Sequence, residues 1–149
     1  MTTGKQIVEV LLVEDNPHDA ELAVRALDRH NFANSIVHVS DGAEALDFLY
    51  ARNAYAGRDK SNQPKVVLLD LKLPKVDGIE VLRTMKVDPL LRPIPVVVLT
   101  TSREESDLKT SYQLGANSYI VKPVDFPQFV ESVRQLGLYW LLLNEPPTH

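Results

Sequence analysis

The sequence contains no cysteine, which excludes disulfide bonds and thiolate chemistry. It also has no apolar run near the roughly 20 residues that cross a bilayer, and its first residues lack the long apolar core of a secretory signal. We therefore expect a cytoplasmic protein. Its four histidines lack the spacing of a metal motif, and a net charge of -4 gives no sign of a nucleic-acid surface.

The length and composition are those of an ordinary globular chain. A domain of 149 residues is large enough to bury a sizeable core, and the hydrophobic fraction of 44% is close to the usual average. We expect one domain.

Short apolar segments alternate with amphipathic ones along the chain. The apolar segments, predicted as strands, are residues 7–13, 36–39, 66–69, 96–99 and 118–121. A predicted helix follows each strand, and the last one carries an apolar stripe with helical spacing, formed by Phe126, Phe129, Val130, Val133 and Leu136. Residues 51–63 are polar and predicted as a loop. Five strands that alternate with five helices predict an α/β fold with a parallel sheet covered by helices on both faces.

Capping residues mark where the predicted helices begin and end. The N-cap candidates are Asn16, Asp41, Asp77 and Ser102. Pro17 suits the first helical position, and Glu44 and Glu105 complete capping-box spacings. Gly115 suits the C-terminal end of the fourth helix.

Polar residues follow four of the strands, at the edge where open parallel sheets bind ligands. They are Glu14, Asp15, Asp70, Thr100, Thr101 and Lys122. Each has a simpler explanation alone: the acids favour helix starts or turns, Thr100 can bond to backbone, and Lys122 can be a solvated charge. Together they are the groups of an aspartyl-phosphate site, in which carboxylates hold Mg2+, Asp70 is the nucleophile and a lysine neutralises phosphoryl charge.

On these residues the chain resembles the response-regulator receiver domains of two-component signalling. The resemblance runs through LLVEDNPHDAELA, VVLLDLKLPKVDGIEVL, VVVLTTS and LGANSYIVKPVD. It implies a doubly wound, flavodoxin-like sheet of order 2-1-3-4-5. It also implies a single receiver domain over residues 1–149, with 137–149 as a C-terminal extension and no output domain.

The resemblance also assigns roles at the site. Asp70 would accept a phosphoryl group from the phosphohistidine of a sensor kinase. Mg2+ would be held by Asp15 directly, by Glu14 directly or through water, by Asp70 and by the backbone carbonyl of Lys72, and Mn2+ or Ca2+ can substitute for it in crystals.

Three further roles come from the resemblance. Lys122 would contact the phosphoryl group, and the peptide bond before Pro123 would be cis. Thr100 and Tyr119 would form a switch pair that changes the surface of the fourth helix, fifth strand and fifth helix.

Some residues depart from the common receiver pattern. Glu14 stands where many receivers have aspartate, Thr101 is larger than the usual alanine or glycine, and Lys72 and Ser102 occupy variable positions. The phosphoryl lifetime therefore does not follow from the family. Three segments resemble, more narrowly, the single-domain regulators paired with cyanobacterial phytochrome kinases. They are the loop after the second helix, KVDPLLRPIPVVVLTTS and LYWLLLNEPP.

The end of the chain favours self-association. If the fifth helix continues past Gly137, it presents a second apolar side, formed by Leu138, Tyr139, Leu142 and Leu143. We expect a homodimer through the face of the fourth and fifth helices. The alternative is fraying, or a turn at Gly137 that folds the leucines back on the core.

Three other functions are compatible with parts of the pattern. A haloacid-dehalogenase-like phosphatase needs a second acid two residues after the nucleophile, where this chain has Lys72. A flavin-binding protein needs a phosphate-binding loop after the first strand, where this chain has two acids. A constitutive binding adaptor that never uses the site remains the alternative. We expect no independent substrate turnover.

Overall fold

The computed structural model describes residues 10–28, 36–73, 75–101 and 105–136. The strands are β1 (Val10–Val13), β2 (Ile36–Val39), β3 (Val66–Asp70), β4 (Val96–Thr100) and β5 (Ser118–Val121). The α-helices are α1 (Pro17–Asp28), α2 (Gly42–Tyr50), α3 (Gly78–Val87), α4 (Glu105–Gln113) and α5 (Phe126–Gln135). A 3-10 helix spans Asn53–Tyr55. Among the described residues, no helix has both the length and the apolar character needed to cross a bilayer.

The strands form one parallel sheet in the order β2-β1-β3-β4-β5, as the resemblance implies. Alternate side chains of each strand enter two separate cores, one on each face. Leu11 and Val13 belong to one core, while Val10 and Leu12 belong to the other. Because both faces of the sheet are covered, the inner strands β1, β3 and β4 are apolar runs up to their carboxyl ends, whereas the outer strands β2 and β5 include the polar residues His38 and Ser118.

The first two helix starts are where the sequence predicts them. The Oδ1 of Asn16 accepts hydrogen bonds from the backbone N–H groups of His18 and Asp19, at 2.9 and 3.0 Å. The Oδ1 of Asp41 accepts from the N–H of Glu44 at 2.7 Å. In return, the Glu44 side chain reaches one residue further back than in a standard capping box and accepts from the N–H of Ser40. Its other carboxylate oxygen accepts from the Tyr55 hydroxyl.

Two helix starts differ from expectation. Asp77 occupies the N-cap position of α3, but its side chain makes no capping hydrogen bond. Asp125 caps α5 by accepting from the N–H of Gln128 at 2.8 Å, which the sequence interpretation had not identified. Gly115 follows α4 with a φ of 109°, a conformation that glycine adopts without strain.

The loop prediction for residues 51–63 is wrong in part, because the segment contains the 3-10 helix. Side chains hold this segment against α2. The Arg58 guanidinium lies 3.8 Å from the centroid of the Phe48 ring and donates to the Phe48 carbonyl. The Tyr55 hydroxyl donates to the Glu44 carboxylate at 2.6 Å. Residues 7–9, the expected cap at Ser102 and the extension at 137–149 lie outside the described residues.

Candidate functional site

The carboxyl edge of the sheet encloses a cavity of about 220 Å³. The register of the strands determines which residues line the cavity. Asp70 is paired with Leu99, and Thr100 is paired with Val121, which Lys122 follows. The lining comprises Asp15, Asn16, Asp19, Asp70, Leu71, Lys72, Leu99, Thr100, Thr101 and Lys122. Buried Glu14 lies behind it. The structure therefore brings together the acids, the threonines and the lysine that the sequence places at separate strand ends.

Three carboxylates form a compact cluster at one side of the cavity. Glu14, Asp15 and Asp70 each offer an oxygen, and these oxygens all lie within 4.8 Å of one another. Glu14 and Asp70 are buried, whereas Asp15 is exposed. Oxygen donors at this separation, with one side open to water, fit a hard divalent cation such as Mg2+ or Mn2+.

Lys122 balances part of this negative charge. Its Nζ lies 3.0 Å from Asp70 Oδ2, 3.1 Å from Glu14 Oε1 and 3.3 Å from Asp19 Oδ2, and its side chain is only 9% exposed. Burial alone would lower the pKa of Lys122, but the hydrogen bond and charge of Asp70, followed by those of Glu14, raise it overall. Lys122 is therefore a firmly protonated ammonium group.

The surroundings of Glu14 disfavour its ionised form. Burial, then the hydrogen bond and charge of Asp70, raise its pKa to about 7, although the N–H of Asn16 and the Lys122 charge oppose the shift. A divalent cation beside Glu14 would provide the positive charge that one lysine does not. The donor set and the excess negative charge thus both fit a metal site.

The loop after β3 orients Asp70 and closes the edge of the cavity. The backbone N–H of Lys72 donates to Asp70 Oδ1 at 3.1 Å, while Asp70 Oδ2 faces Lys122. The Lys72 side chain is exposed at the rim. Gly78 approaches so closely that an added Cβ would lie 2.3 Å from the Asp70 carbonyl oxygen. These backbone contacts fix the position of the Asp70 carboxylate.

Comparison with known proteins supports the same interpretation. The model of the response regulator receiver domain matches residues 10–134. The chain belongs to this family. The probable methanogenesis regulatory protein FilR2 of Methanothrix harundinacea is 46% identical over 93% of this chain and 86% of FilR2. Response regulator Rcp1 of Synechocystis is 39% identical over 89% of this chain and 88% of Rcp1.

Solved receiver structures extend the comparison. The bacteriophytochrome response regulator AtBRR is 54% identical, with a TM-score of 0.84 over 95% of this chain and 100% of that chain. The Mn2+-bound form of Rcp1 has a TM-score of 0.73 at 36% identity over 95% of this chain and 99% of that chain. The phosphorylated cyanobacterial phytochrome response regulator RcpA has a TM-score of 0.74 at 41% identity over 91% of this chain and 95% of that chain. The predicted likeness to phytochrome-associated regulators is confirmed.

Thr100 and Tyr119, the expected switch pair of this receiver, lie in different surroundings. Thr100 lines the cavity, and its carbonyl accepts from the backbone N–H of Lys122 at 2.7 Å. Tyr119 is half-buried outside the cavity and meets the ring of Tyr112 edge-on, with centroids 6.4 Å apart. The peptide bond between Lys122 and Pro123 is cis. The four residues proposed for the dimer surface lie outside the described part of the chain.

Two residues near the site were missed from the sequence. Asp19 reaches Lys122 from the first turn of α1, where its position three residues after the N-cap Asn16 could have placed it on the sheet's carboxyl edge. His38 Nε2 lies 2.7 Å from the backbone carbonyl oxygen of Glu14. No sequence signal identifies that contact, because it depends on the pairing of β1 with β2.

Proposed function

We propose that this receiver is a stand-alone phosphoacceptor in which Asp70 takes a phosphoryl group from a sensor histidine kinase. One observation carries the proposal: Asp70 presents a buried carboxylate oxygen to a protonated Lys122 at 3.0 Å, beside two other carboxylates suited to a divalent cation. A purely structural acid would not require this concentration of charge. Lys122 contacts the carboxylate and would also contact an incoming phosphoryl oxygen.

The transfer itself exchanges one bond to phosphorus for another. An Asp70 carboxylate oxygen attacks the phosphorus, a phosphorus–oxygen bond forms, and the phosphorus–nitrogen bond to the donor histidine breaks. The electron pair of that bond returns to the imidazole, which takes up a proton. Throughout, the Lys122 ammonium stabilises negative charge on the phosphoryl oxygens, and the N–H of Lys72 holds the other Asp70 oxygen in place.

A bound Mg2+ would neutralise charge shared by the carboxylates and the phosphoryl group. Glu14, Asp15, Asp70 and the Lys72 carbonyl are the proposed protein ligands. Support comes from the cluster itself and from the Mn2+-bound form of Rcp1. Because Glu14 has a longer side chain than aspartate, it can contact both the metal site and Lys122 from the end of β1.

The proposed partner is a histidine kinase of the phytochrome type. The similarity to AtBRR, Rcp1 and RcpA supports this choice. Phosphotransfer profiling against a panel of kinases that includes a phytochrome kinase tests it directly, and preferential transfer from a kinase of another class would contradict it.

Output would pass through the face formed by α4, β5 and α5. Thr100 and Tyr119 would link this face to the phosphoryl group: the hydroxyl would move toward the phosphate and the ring would turn inward. Homodimerisation through this face and through Leu138, Tyr139, Leu142 and Leu143 remains a prediction. Light scattering should show a dimer, and a monomer at high micromolar concentration with and without phosphorylation would contradict it.

The principal experiment uses acetyl phosphate and Mg2+ with the purified chain. Mass spectrometry should show one added phosphoryl group in wild type and none in Asp70→Asn. Asp77→Asn is the matched control, since exposed Asp77 makes no capping bond. If wild type stays unmodified by acetyl phosphate and by an active kinase, the proposal fails, and partner binding that is insensitive to Mg2+ would then favour the constitutive adaptor. Multiple turnover on phosphate monoesters would instead indicate an enzyme.

A further inference from the structure

Lys122 is shared with a carboxylate that has no part in the proposed transfer. Asp19 Oδ2 lies 3.3 Å from Nζ, in addition to the contacts with Glu14 and Asp70. The Asp19 side chain is 25% exposed and lines the cavity. A phosphoryl oxygen that enters the cavity and reaches the Lys122 ammonium group therefore comes close to the Asp19 carboxylate.

The first turn of α1 holds Asp19 in this position. Its backbone N–H donates to the N-cap Asn16 at 3.0 Å, so the residue is fixed at the helix start and not on a mobile segment. The positive end of the helix dipole attracts negative charge in this first turn. Asp19 thus presents its carboxylate group to the cavity beside Lys122.

Geometry makes Asp19 a competitor of the phosphoryl group. A phosphoryl oxygen that accepts a hydrogen bond from Nζ lies about 3 Å from it, which places it within roughly 6 Å of the Asp19 carboxylate. At that separation, in a partly buried site, two negative groups repel each other appreciably. The repulsion increases with the negative charge of the entering donor.

We propose that Asp19 is a specificity-determining residue that discriminates against highly charged small phosphodonors. This inference rests on the proposed function of Asp70. It predicts that Asp19→Asn, which removes the charge with little change of shape, accelerates phosphorylation by the acetyl phosphate dianion. Phosphoramidate carries an additional proton on its nitrogen, and the acceleration with this donor should be smaller.

The experiment compares both donors at saturating Mg2+, so that any change in metal affinity does not affect the rates. We expect Asp19→Asn to raise the acetyl phosphate rate by about three- to tenfold and to raise its ratio to the phosphoramidate rate. Asp19→Glu, which keeps the charge, should retain the wild-type ratio. Glu21→Gln is the matched control: it makes the same change of charge on the same helix, but Glu21 pairs with Arg25 at 2.7 Å and does not line the cavity.

A second measurement does not depend on phosphorylation. Inorganic phosphate, titrated by NMR at saturating Mg2+, should bind several times more tightly to Asp19→Asn than to wild type or Glu21→Gln. If wild type accepts no phosphoryl group from either donor, the proposed function fails, and this titration still decides the role of Asp19. If Asp19→Asn does not fold, Asp19→Ser serves for both measurements with the same expected direction.

An unchanged donor ratio together with unchanged phosphate affinity would overturn the inference. An equal effect of Glu21→Gln would also overturn it, because the effect would then come from net charge and not from the position of Asp19.

Discussion

Lys122 Nζ lies 3.0 Å from Asp70 Oδ2, although β4 separates β3, which ends at Asp70, from β5, which Lys122 follows directly. The contact crosses the carboxyl edge of the sheet and is nearly closed to water, with side chains 9% and 7% exposed. Because a buried charge is unfavourable without a partner, each of these residues depends on the other. The same contact would hold the acceptor and the charge-neutralising group of phosphotransfer together.

Removal of the Lys122 charge should destabilise the protein. Lys122→Met leaves Glu14 and Asp70 buried without their cation, and we expect a loss of about 3–5 kcal/mol in the free energy of unfolding at pH 8 without metal. Urea denaturation measures this loss of stability. Lys109→Met, at an exposed position of α4, should change stability by no more than about 0.5 kcal/mol. Equal stability of the two variants would show that Lys122 does not offset the buried acids.

The ionisation of Glu14 should make stability depend on pH. Its pKa is about 7 in the folded protein and lower when unfolded, so the folded state holds this proton more tightly. The resulting stabilisation is complete below the unfolded pKa and is lost as pH rises through about 7. Without metal, wild type should therefore lose roughly 1–3 kcal/mol relative to Glu14→Gln between about pH 5 and pH 8. Parallel stability curves for the two proteins would contradict the shift.

The fold and the site differ in how much of each could be predicted from the sequence. The inner strands were predictable because fully buried strands are continuous apolar runs, and the predicted limits of the outer strand β5 also agree with the structure. The prediction that the Asp77 side chain caps α3 was wrong, because the residue type at a helix start does not determine where its side chain points. The 3-10 helix was missed, and so was the packing of its segment on α2, which involves the contact of Arg58 with Phe48 ten residues away in sequence.

At the site, the residue types and their strand positions were predictable, but their mutual contacts were not. The topology of a parallel sheet is sufficient to bring Asp70 and Lys122 to the same edge. The addition of Asp19 to this group depends on the direction in which α1 leaves β1. The contact of His38 with the Glu14 carbonyl depends on strand pairing. The His38 contact has no local signature, whereas the position of Asp19 after its N-cap indicates the edge of the sheet but not the contact with Lys122.

The backbone beside Asp70 should not tolerate a larger residue at position 78. In Gly78→Ala the added Cβ would meet the Asp70 carbonyl oxygen and the Leu71 Cα at 2.3 and 2.5 Å, both of them backbone atoms. We expect a loss of about 1–3 kcal/mol in the free energy of unfolding, measured by urea denaturation. Gly57→Ala is the control, since nothing lies within 4 Å of its Cβ. A Gly78→Ala protein as stable as the Gly57→Ala protein would show that the β3–α3 loop yields easily.

Metal affinity should depend on Asp15. Asp15→Asn removes the most exposed carboxylate of the cluster, and we expect Mg2+ and Mn2+ to bind at least about tenfold more weakly by calorimetry. Asp77→Asn should bind both ions as wild type does, because Asp77 does not line the cavity. Loss of affinity in both variants would indicate a general effect of net charge.

The most direct measurement identifies the residue that carries the phosphoryl group. After transfer from a phosphorylated histidine kinase, borohydride reduces an aspartyl phosphate to homoserine, and peptide mass spectrometry locates the product. We predict homoserine at position 70 and at no other aspartate, with Asp77→Asn unchanged and Asp70→Asn unmodified. Homoserine at another position, or none while the kinase loses its phosphoryl group to this protein, would contradict the assignment of Asp70 as the acceptor.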